Sequence, residues 1–292
     1  MRVADPGSAV ITGASTGIGR ATALQLDRKG WRVFAGVRTD RDAKSLRAAA
    51  SDRLTPLSLD VTRAASIEAS AKQVAAAVGG AGLRGLVNNA GISCPGAIEF
   101  IELDEVRRQL EVNLVGPIAV TQAFLPLIRR ASGRIVNVGS MGGFVSNPFL
   151  GAYAASKFAL EAVTDSLRRE LVPWGIEVSI VQPGSIATEI WRKGRSYSDE
   201  LLARLPEGAA ALYRPYIEAL RAYVDGAARR AIPPEAVARA IEHALCARRP
   251  RTRYRVGIDA QLMRALTRLL PDRLLDALIL RVSGLARAGR SR

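Results

Sequence analysis

Histidine is nearly absent from this sequence, His243 being the single example in 292 residues, and cysteine is confined to Cys94 and Cys246. One imidazole and two distant thiols, without CxxC or histidine-rich spacing, offer neither a metal centre nor a disulfide framework, so no metal is expected. Both cysteines read as plain thiols of a reducing compartment, and His243 as a surface or packing residue of a late helix rather than a proton shuttle. Aromatic residues make up only 5% of the chain, and no recognised nucleic-acid module accompanies them. The N-terminal residues lack the charged region, apolar run and cleavage site of a signal peptide. No stretch reads as long and apolar enough to span a bilayer.

What is present is the composition of a packed domain, with 48% hydrophobic and 24% charged residues. The formal charge of +15 is unevenly placed, because residues 247–292 hold twelve arginines against three aspartates. More than half of the excess therefore lies in a basic tail, which argues against a nucleic-acid-binding fold.

From Ala9 to Val181 short β-branched runs alternate with longer helical patterns, the order of βαβ units. Strands are expected at Ala9–Thr12, Trp31–Gly36, Leu54–Leu59, Gly85–Asn88, Arg134–Gly139 and Ile176–Val181, with a seventh at Arg253–Gly257. The fold class is α/β, a three-layer, doubly wound parallel sheet of Rossmann type with about seven strands. A helix over Ala152–Val172 carries apolar residues at helical spacing and stops near Pro173. Between Gly184 and Pro233 the alternation breaks and Trp191, Tyr197, Tyr213, Tyr216 and Tyr223 appear, which reads as a lid over a ligand or as a helical hairpin packed on the domain. Leucines interleaved with Arg264, Arg268, Arg273 and Arg281 predict two basic amphipathic helices at the C-terminal end. They would either pack over the cleft or a partner, or lie on a membrane surface. The expected organisation is a catalytic domain over residues 1–258, containing the 184–233 insertion, and a helical extension over 259–292.

Thr12-Gly13-Ala14-Ser15-Thr16-Gly17-Ile18-Gly19 follows the first strand and opens a helix. Its glycines let backbone approach a pyrophosphate, which the helix N-terminus would bind. Asp60-Val61, Asn88-Asn89-Ala90-Gly91, Asn113, Ser140, Tyr153, Lys157, Pro183-Gly184 and Thr188 then come in fixed order. With this set the chain resembles the classical short-chain dehydrogenase/reductase family over roughly residues 8–260. The resemblance implies a nicotinamide cofactor bound by Gly13, Ser15, Thr16, Gly17, Ile18, Gly19, Asp60, Val61, Asn89, Ala90, Gly91, Tyr153, Lys157, Pro183, Gly184, Ile186 and Thr188. At the end of strand two Arg38 stands where NAD sites place a carboxylate, so NADP(H) is favoured and NAD(H) remains an alternative.

Tyr153 and Lys157 are four residues apart and project from one helix face. Bringing a phenol from about 10 to neutral pH needs roughly 4 kcal/mol of phenolate stabilisation, and an adjacent ammonium and a nicotinamide cation have the right sign. Tyr153 is the expected general acid/base, Lys157 its partner and Ser140 the hydrogen-bond partner of the substrate oxygen, while the resemblance implies that Lys157 also holds the ribose and that Asn113 organises a water leading from the lysine. Ser140, Gly142, Phe144, Phe149, Tyr153, Ile190 and Trp191 are expected around a bulky, lipophilic small molecule. The strand-two segment and C-terminal extension resemble the retinol and hydroxysteroid branch, which implies retinoid, steroid or fatty-chain alcohols and carbonyls. A ketoacyl-thioester reductase and a cofactor-bound regulator without turnover are the alternatives. The protein is expected in the cytoplasm as a homodimer or homotetramer, with peripheral membrane contact through the C-terminal helices as a further expectation and no nucleic-acid partner.

Overall fold

The β-branched runs become strands β1 (Ser8–Ile11), β2 (Arg32–Val37), β3 (Leu54–Ser58), β4 (Gly85–Asn88), β5 (Arg134–Val138), β6 (Glu177–Pro183) and β7 (Arg253–Val256) in a computed structural model that describes residues 6–205 and 207–288. The ends of the expected catalytic domain and extension, residues 1–5 and 289–292, lie outside the described residues. Between the strands run helices α1 (Gly17–Arg28), α2 (Asp40–Arg47), α3 (Ala64–Val78), α4 (Leu103–Leu110), α5 (Gly116–Arg130) and α6 (Gly151–Glu170). They continue as α7 (Ile190–Arg204), α8 (Glu207–Arg229), α9 (Glu235–Cys246), α10 (Ile258–Leu269), α11 (Asp272–Val282) and α12 (Leu285–Ala288). All strands are parallel, in the order β3-β2-β1-β4-β5-β6-β7. Right-handed crossovers lead from β1 to β2 on one side and on to β4 on the other, so the strand order reverses at β1, where a ligand crevice forms.

Period-two alternation buries both sheet faces. Ala9 and Ile11 of β1 join Ala23 and Leu26 of α1 and Ile241 and Leu245 of α9 in one layer. Val10 joins Ile67 and Val74 of α3 and Val120, Phe124 and Ile128 of α5 in the other. Phe34 and Phe124, essentially unexposed, each contribute roughly 2–3 kcal/mol by leaving water.

Most expected strands shift by a residue at an end. Strand β6 runs to Pro183, beyond the expected Val181, because the edge strand β7 pairs with Ile180 through Pro183. The expectation that no stretch has the character of a membrane span is corrected: the continuous helical stretch Leu103–Arg130, 28 residues with a window hydropathy of 1.4, meets the length and composition of one. Its inward side instead forms protein core, and Gln109, Asn113 and Thr121 are buried with Val120 and Phe124. The two expected C-terminal helices are α10 and α11, followed by the short α12, which packs against α8. His243 on α9 shares a 2.9 Å hydrogen bond between its Nδ1 and the Tyr254 hydroxyl, the packing role expected of it.

Candidate active site

At the C-terminal end of β1 the chain must reverse into α1, and Gly13 and Gly17 do so with φ of +64° and +55°. A Cβ on Gly13 would lie 2.8 Å from the Ala90 Cα, and one on Gly17 would lie 3.0 Å from the Thr188 Cγ2. Thr16, the cap residue of α1, makes no side-chain cap hydrogen bond, so the first amides of the helix are not capped by it. Thr12 Oγ1 accepts from the Asn89 and Ala90 amides at 3.0 Å each, and Asn89 Nδ2 donates to the Thr12 and Gly13 carbonyls. These contacts bring Gly13, Gly17, Gly19, Asn89, Ala90 and Thr188 together at the C-terminal end of the sheet, with Ser15 in the same turn, a narrow backbone cradle with the shape and donors that a dinucleotide phosphate requires.

Asp60 follows β3 by two residues. Its Oδ1 accepts from Thr62 N at 3.0 Å and Thr62 Oγ1 at 2.8 Å. Burial would raise its carboxyl, but the Thr62 hydrogen bonds and the charges of Arg38 and Arg63 hold it below the ordinary value. Val61 is buried, and Gly116 of α5 leaves room for its side chain, so it offers a ligand main chain. Arg38 is exposed at the end of β2, on the side facing Asp60.

Tyr153 and Lys157 rise from the first turns of α6. Gly142 is obliged to be small, since its Cβ would lie 3.1 Å from the Tyr153 ring. Ser140, at the end of β5, accepts from Gly142 N at 3.0 Å and is hydrogen-bonded to Tyr153. Lys157 is 5% exposed, donates to the Val138 carbonyl at 2.9 Å and places Nζ 6.0 Å from the Tyr153 ring centroid. The expected depression of the phenol by this ammonium is not what the protein alone produces. Burial pushes Tyr153 up against the opposing hydrogen bond from Ser140, and burial likewise brings Lys157 down to about 8 against the charge of Glu161. Burial dominates both shifts, and a positive charge from a bound nicotinamide has the sign that lowers the phenol.

The lysine has a stability consequence. Between about 8 and its ordinary 10.5 the folded chain has released a proton that the unfolded chain keeps, so unfolding takes up a proton and stability rises with pH across that window. The increment is about 3 kcal/mol at most. Urea unfolding of the protein and of Lys157→Met at both ends of the window is expected to show this rise in the former and its loss in the latter; parallel curves would remove the buried ammonium.

Asn113 sits in a π-turn, Glu111–Val115, that joins α4 to α5, and it is fully buried. Its Nδ2 donates to the Ile92 carbonyl at 2.9 Å and to Ser156 Oγ at 3.0 Å, while Oδ1 accepts from Ile92 N at 2.9 Å. Gly91 stands between Asn113 and Lys157, a Cβ there lying 3.4 Å from Oδ1 and 3.7 Å from Nζ.

Above this group opens a cavity of about 680 Å³. Of the expected substrate residues, Ser140, Gly142, Phe149, Tyr153, Ile190 and Trp191 line it, as do the cofactor candidates Ile18, Pro183, Gly184, Ile186 and Thr188. Phe144 does not, and the expectation is corrected: its ring stacks under the Arg264 guanidinium at 5.3 Å, and Val145 faces the cavity in its place. Phe149 holds a left-handed φ of +64°, a strained conformation for a bulky residue, with its carbonyl fixed by Gly96 N at 2.8 Å. Helices α7 and α8 roof the cavity. Trp191 Nε1 donates to the Ile186 carbonyl at 2.6 Å, and Tyr213 meets Phe100 and Phe149 edge-on and donates to Glu99 at 2.6 Å.

Three residues of the site carry no signal of their own in the sequence. Ser156, between Tyr153 and Lys157, donates to the Tyr153 carbonyl at 2.7 Å and ties α6 to Asn113. Glu161, one turn beyond Lys157, accepts from Gln182 at 2.8 Å and from Arg253 at 3.0 Å. Asp259 accepts from Ser185 N at 2.7 Å and fixes the loop after β6. Spacing on α6 places Ser156 and Glu161 near the lysine, but their partners lie far away in sequence.

A sequence profile described as short chain dehydrogenase matches residues 8–198. Retinol dehydrogenase 5 of Mus musculus is 42% identical over 276 residues, covering 92% of this chain and 86% of that protein. The 17-beta-hydroxysteroid dehydrogenase type 6 of Bos taurus is 41% identical, covering 93% and 87%. A solved short chain dehydrogenase from Burkholderia cenocepacia in complex with NADP superposes with a TM-score of 0.70 at 26% identity, covering 94% of this chain and 96% of that one.

Proposed function

Because this chain belongs to the short-chain dehydrogenase family, as an NAD(P)-dependent oxidoreductase acting on CH–OH groups, we propose that Tyr153, Ser140, Lys157 and Asn113 interconvert a bulky lipophilic alcohol and its ketone or aldehyde. The observation that carries this is the opening of the Tyr153–Ser140 pair onto a mostly apolar cavity of about 680 Å³, within the range of pockets that enclose a bulky small molecule. The names of the retinol and hydroxysteroid dehydrogenase relatives support the same substrate class.

In this reading the Tyr153 hydroxyl gives its proton to the carbonyl oxygen in reduction and takes it back in oxidation, while Ser140 hydrogen-bonds the same oxygen and fixes its place. Lys157 supplies positive charge below the phenol and the ribose contact. Asn113, acting with Ser156, keeps the α6 turn and the Ile92 loop in register, leaving the gap at Gly91 open to a water between Asn113 and Lys157. The cradle residues Gly13, Ser15, Thr16, Gly17, Gly19, Asn89 and Ala90 would hold the cofactor phosphates, Asp60 and Val61 its adenine, and Ile186 and Thr188 its nicotinamide end. When bound, that nicotinamide supplies or accepts the hydride. Helices α7 and α8 act as the lid. Exposed Leu262, Leu269, Leu274 and Val282 on α10 and α11 give the cytoplasmic protein a peripheral membrane contact, and the active form is a homo-oligomer.

Steady-state assays with NADPH and NADH against retinal, steroid ketones, aliphatic ketones and ketoacyl thioesters test the reading; turnover confined to the thioesters would overturn the substrate class. NADP(H) is the proposed cofactor, since the exposed Arg38 can fork a 2′-phosphate. Arg38→Ala is expected to raise KM for NADPH by roughly tenfold or more, the loss of one charge-assisted contact, and to leave KM for NADH nearly unchanged. Equal changes for both cofactors would place Arg38 outside recognition.

A further inference from the structure

Strand β7 lies at the sheet edge, so no further strand covers its outer side. The sequence Arg251-Thr252-Arg253-Tyr254-Arg255 alternates along it. Period two turns Arg253 and Arg255 to one face and buries Tyr254 on the other, and Arg251, two residues before the strand, lines the same hollow. Helix α10 crosses that face, and its i,i+4 pair Arg264 and Arg268 projects toward the strand. Between them is a second cavity, of about 420 Å³, lined by Arg251, Arg253, Arg255, Gln261, Arg264, Ala265 and Arg268. It shares no lining residue with the substrate cavity, and Arg264 stacks on Phe144 at 5.3 Å.

Five guanidinium groups thus converge on a concave site whose lining contains no carboxylate. Of the five, Arg253 alone has carboxylate partners among the described residues, Glu161 at 3.0 Å and Asp165 at 2.9 Å. A chance scatter of surface arginines would spread apart into water; here strand pleat and helix pitch hold them together. Burial and then the charges of Arg268, Arg255 and Arg253 make protonated Arg264 harder to maintain, with the charge of Glu161 opposing them, so repulsion within the cluster outweighs the attraction. Converging rigid forks with spare donors, and Gln261 beside them, match the oxygens of a multiply charged oxyanion.

We propose that this arginine-lined cavity between β7 and α10 is a binding site for a phosphate group, separate from the cofactor cradle. The exposed Ile258, Leu262 and Leu269 of the same helix are 84%, 58% and 78% exposed, so the phosphate of an anionic phospholipid could be taken there as readily as a soluble one.

Inorganic pyrophosphate and vesicles of zwitterionic lipid with or without phosphatidic acid are the two probes, applied to the full chain saturated with NADPH so that the cradle is filled. Calorimetric titration with pyrophosphate and vesicle sedimentation are expected to give saturable binding to at least one. Arg255→Gln/Arg268→Gln is expected to weaken that binding roughly tenfold or more, through two lost charge-assisted contacts. The same variant, relieved of repulsion, is expected to melt no lower than the parent at low salt and to keep its NADPH turnover. Saturation by pyrophosphate identifies a soluble ligand, and binding only to phosphatidic acid vesicles a lipid headgroup. Failure of both probes, or equal binding by the variant, overturns the site.

Discussion

Tyr153→Phe is expected to lower kcat by roughly 10² to 10⁴-fold, the range that one positioned general acid/base supplies, while NADPH binding stays within a few-fold of the parent. The substitution removes only the hydroxyl. The ring still packs on Gly142, and Ser140 keeps its hydrogen bond from Gly142 N at 3.0 Å, so the pocket wall survives. What is lost is the hydroxyl that Ser140 hydrogen-bonds, on a ring whose centroid lies 6.0 Å from Lys157 Nζ, an amine that burial brings down to about 8. Stopped-flow turnover and cofactor fluorescence on the same preparation separate the two effects. A variant with full turnover would move the proton step to another group.

Gly19→Ala is expected to abolish useful cofactor binding and to lower the melting temperature. Its Cβ would strike the Gly13 carbonyl oxygen and Asn89 Nδ2, two atoms joined to each other by a 3.0 Å hydrogen bond. Neither can yield cheaply, one being backbone and the other a side chain that also donates to the Thr12 carbonyl at 2.9 Å. Overpacking of this kind costs about 1–3 kcal/mol in stability. The displaced turn then removes the amides that a phosphate needs. Gly80→Ala is the control, since a Cβ there meets nothing within 4 Å. If Gly19→Ala bound NADPH as tightly as that control, the cradle would lie elsewhere.

The sheet, its seven strands and the Tyr153–Lys157 face were legible because each rests on short periodicities: two in a strand, nearly four in a helix. The glycine turn was legible because backbone reversal and phosphate approach demand glycine locally. Phe144 was misplaced because its partner, Arg264, comes from α10 and takes the ring out of the cavity. The Leu103–Arg130 stretch differs from its sequence reading for a related reason. Its charges cluster in α4, leaving the remainder apolar enough to cross a bilayer, and the core around Phe124 absorbs that surface. Ser156, Glu161 and the π-turn under Asn113 depend on contacts between elements distant in sequence, which no local pattern encodes. The direction of the Tyr153 shift was likewise hidden, because burial is a property of the whole fold.

The central claim is hydride transfer between a nicotinamide and the carbinol carbon of a lipophilic substrate, with Tyr153 handling the proton. It is tested most directly by incubating the protein with NADPH carrying deuterium at the transferable C4 position and a retinal or steroid ketone, then reading the product by mass spectrometry. One deuterium on the carbinol carbon is expected, with loss of that product in Tyr153→Phe. An alcohol without deuterium, or equal labelling by the variant, would contradict it.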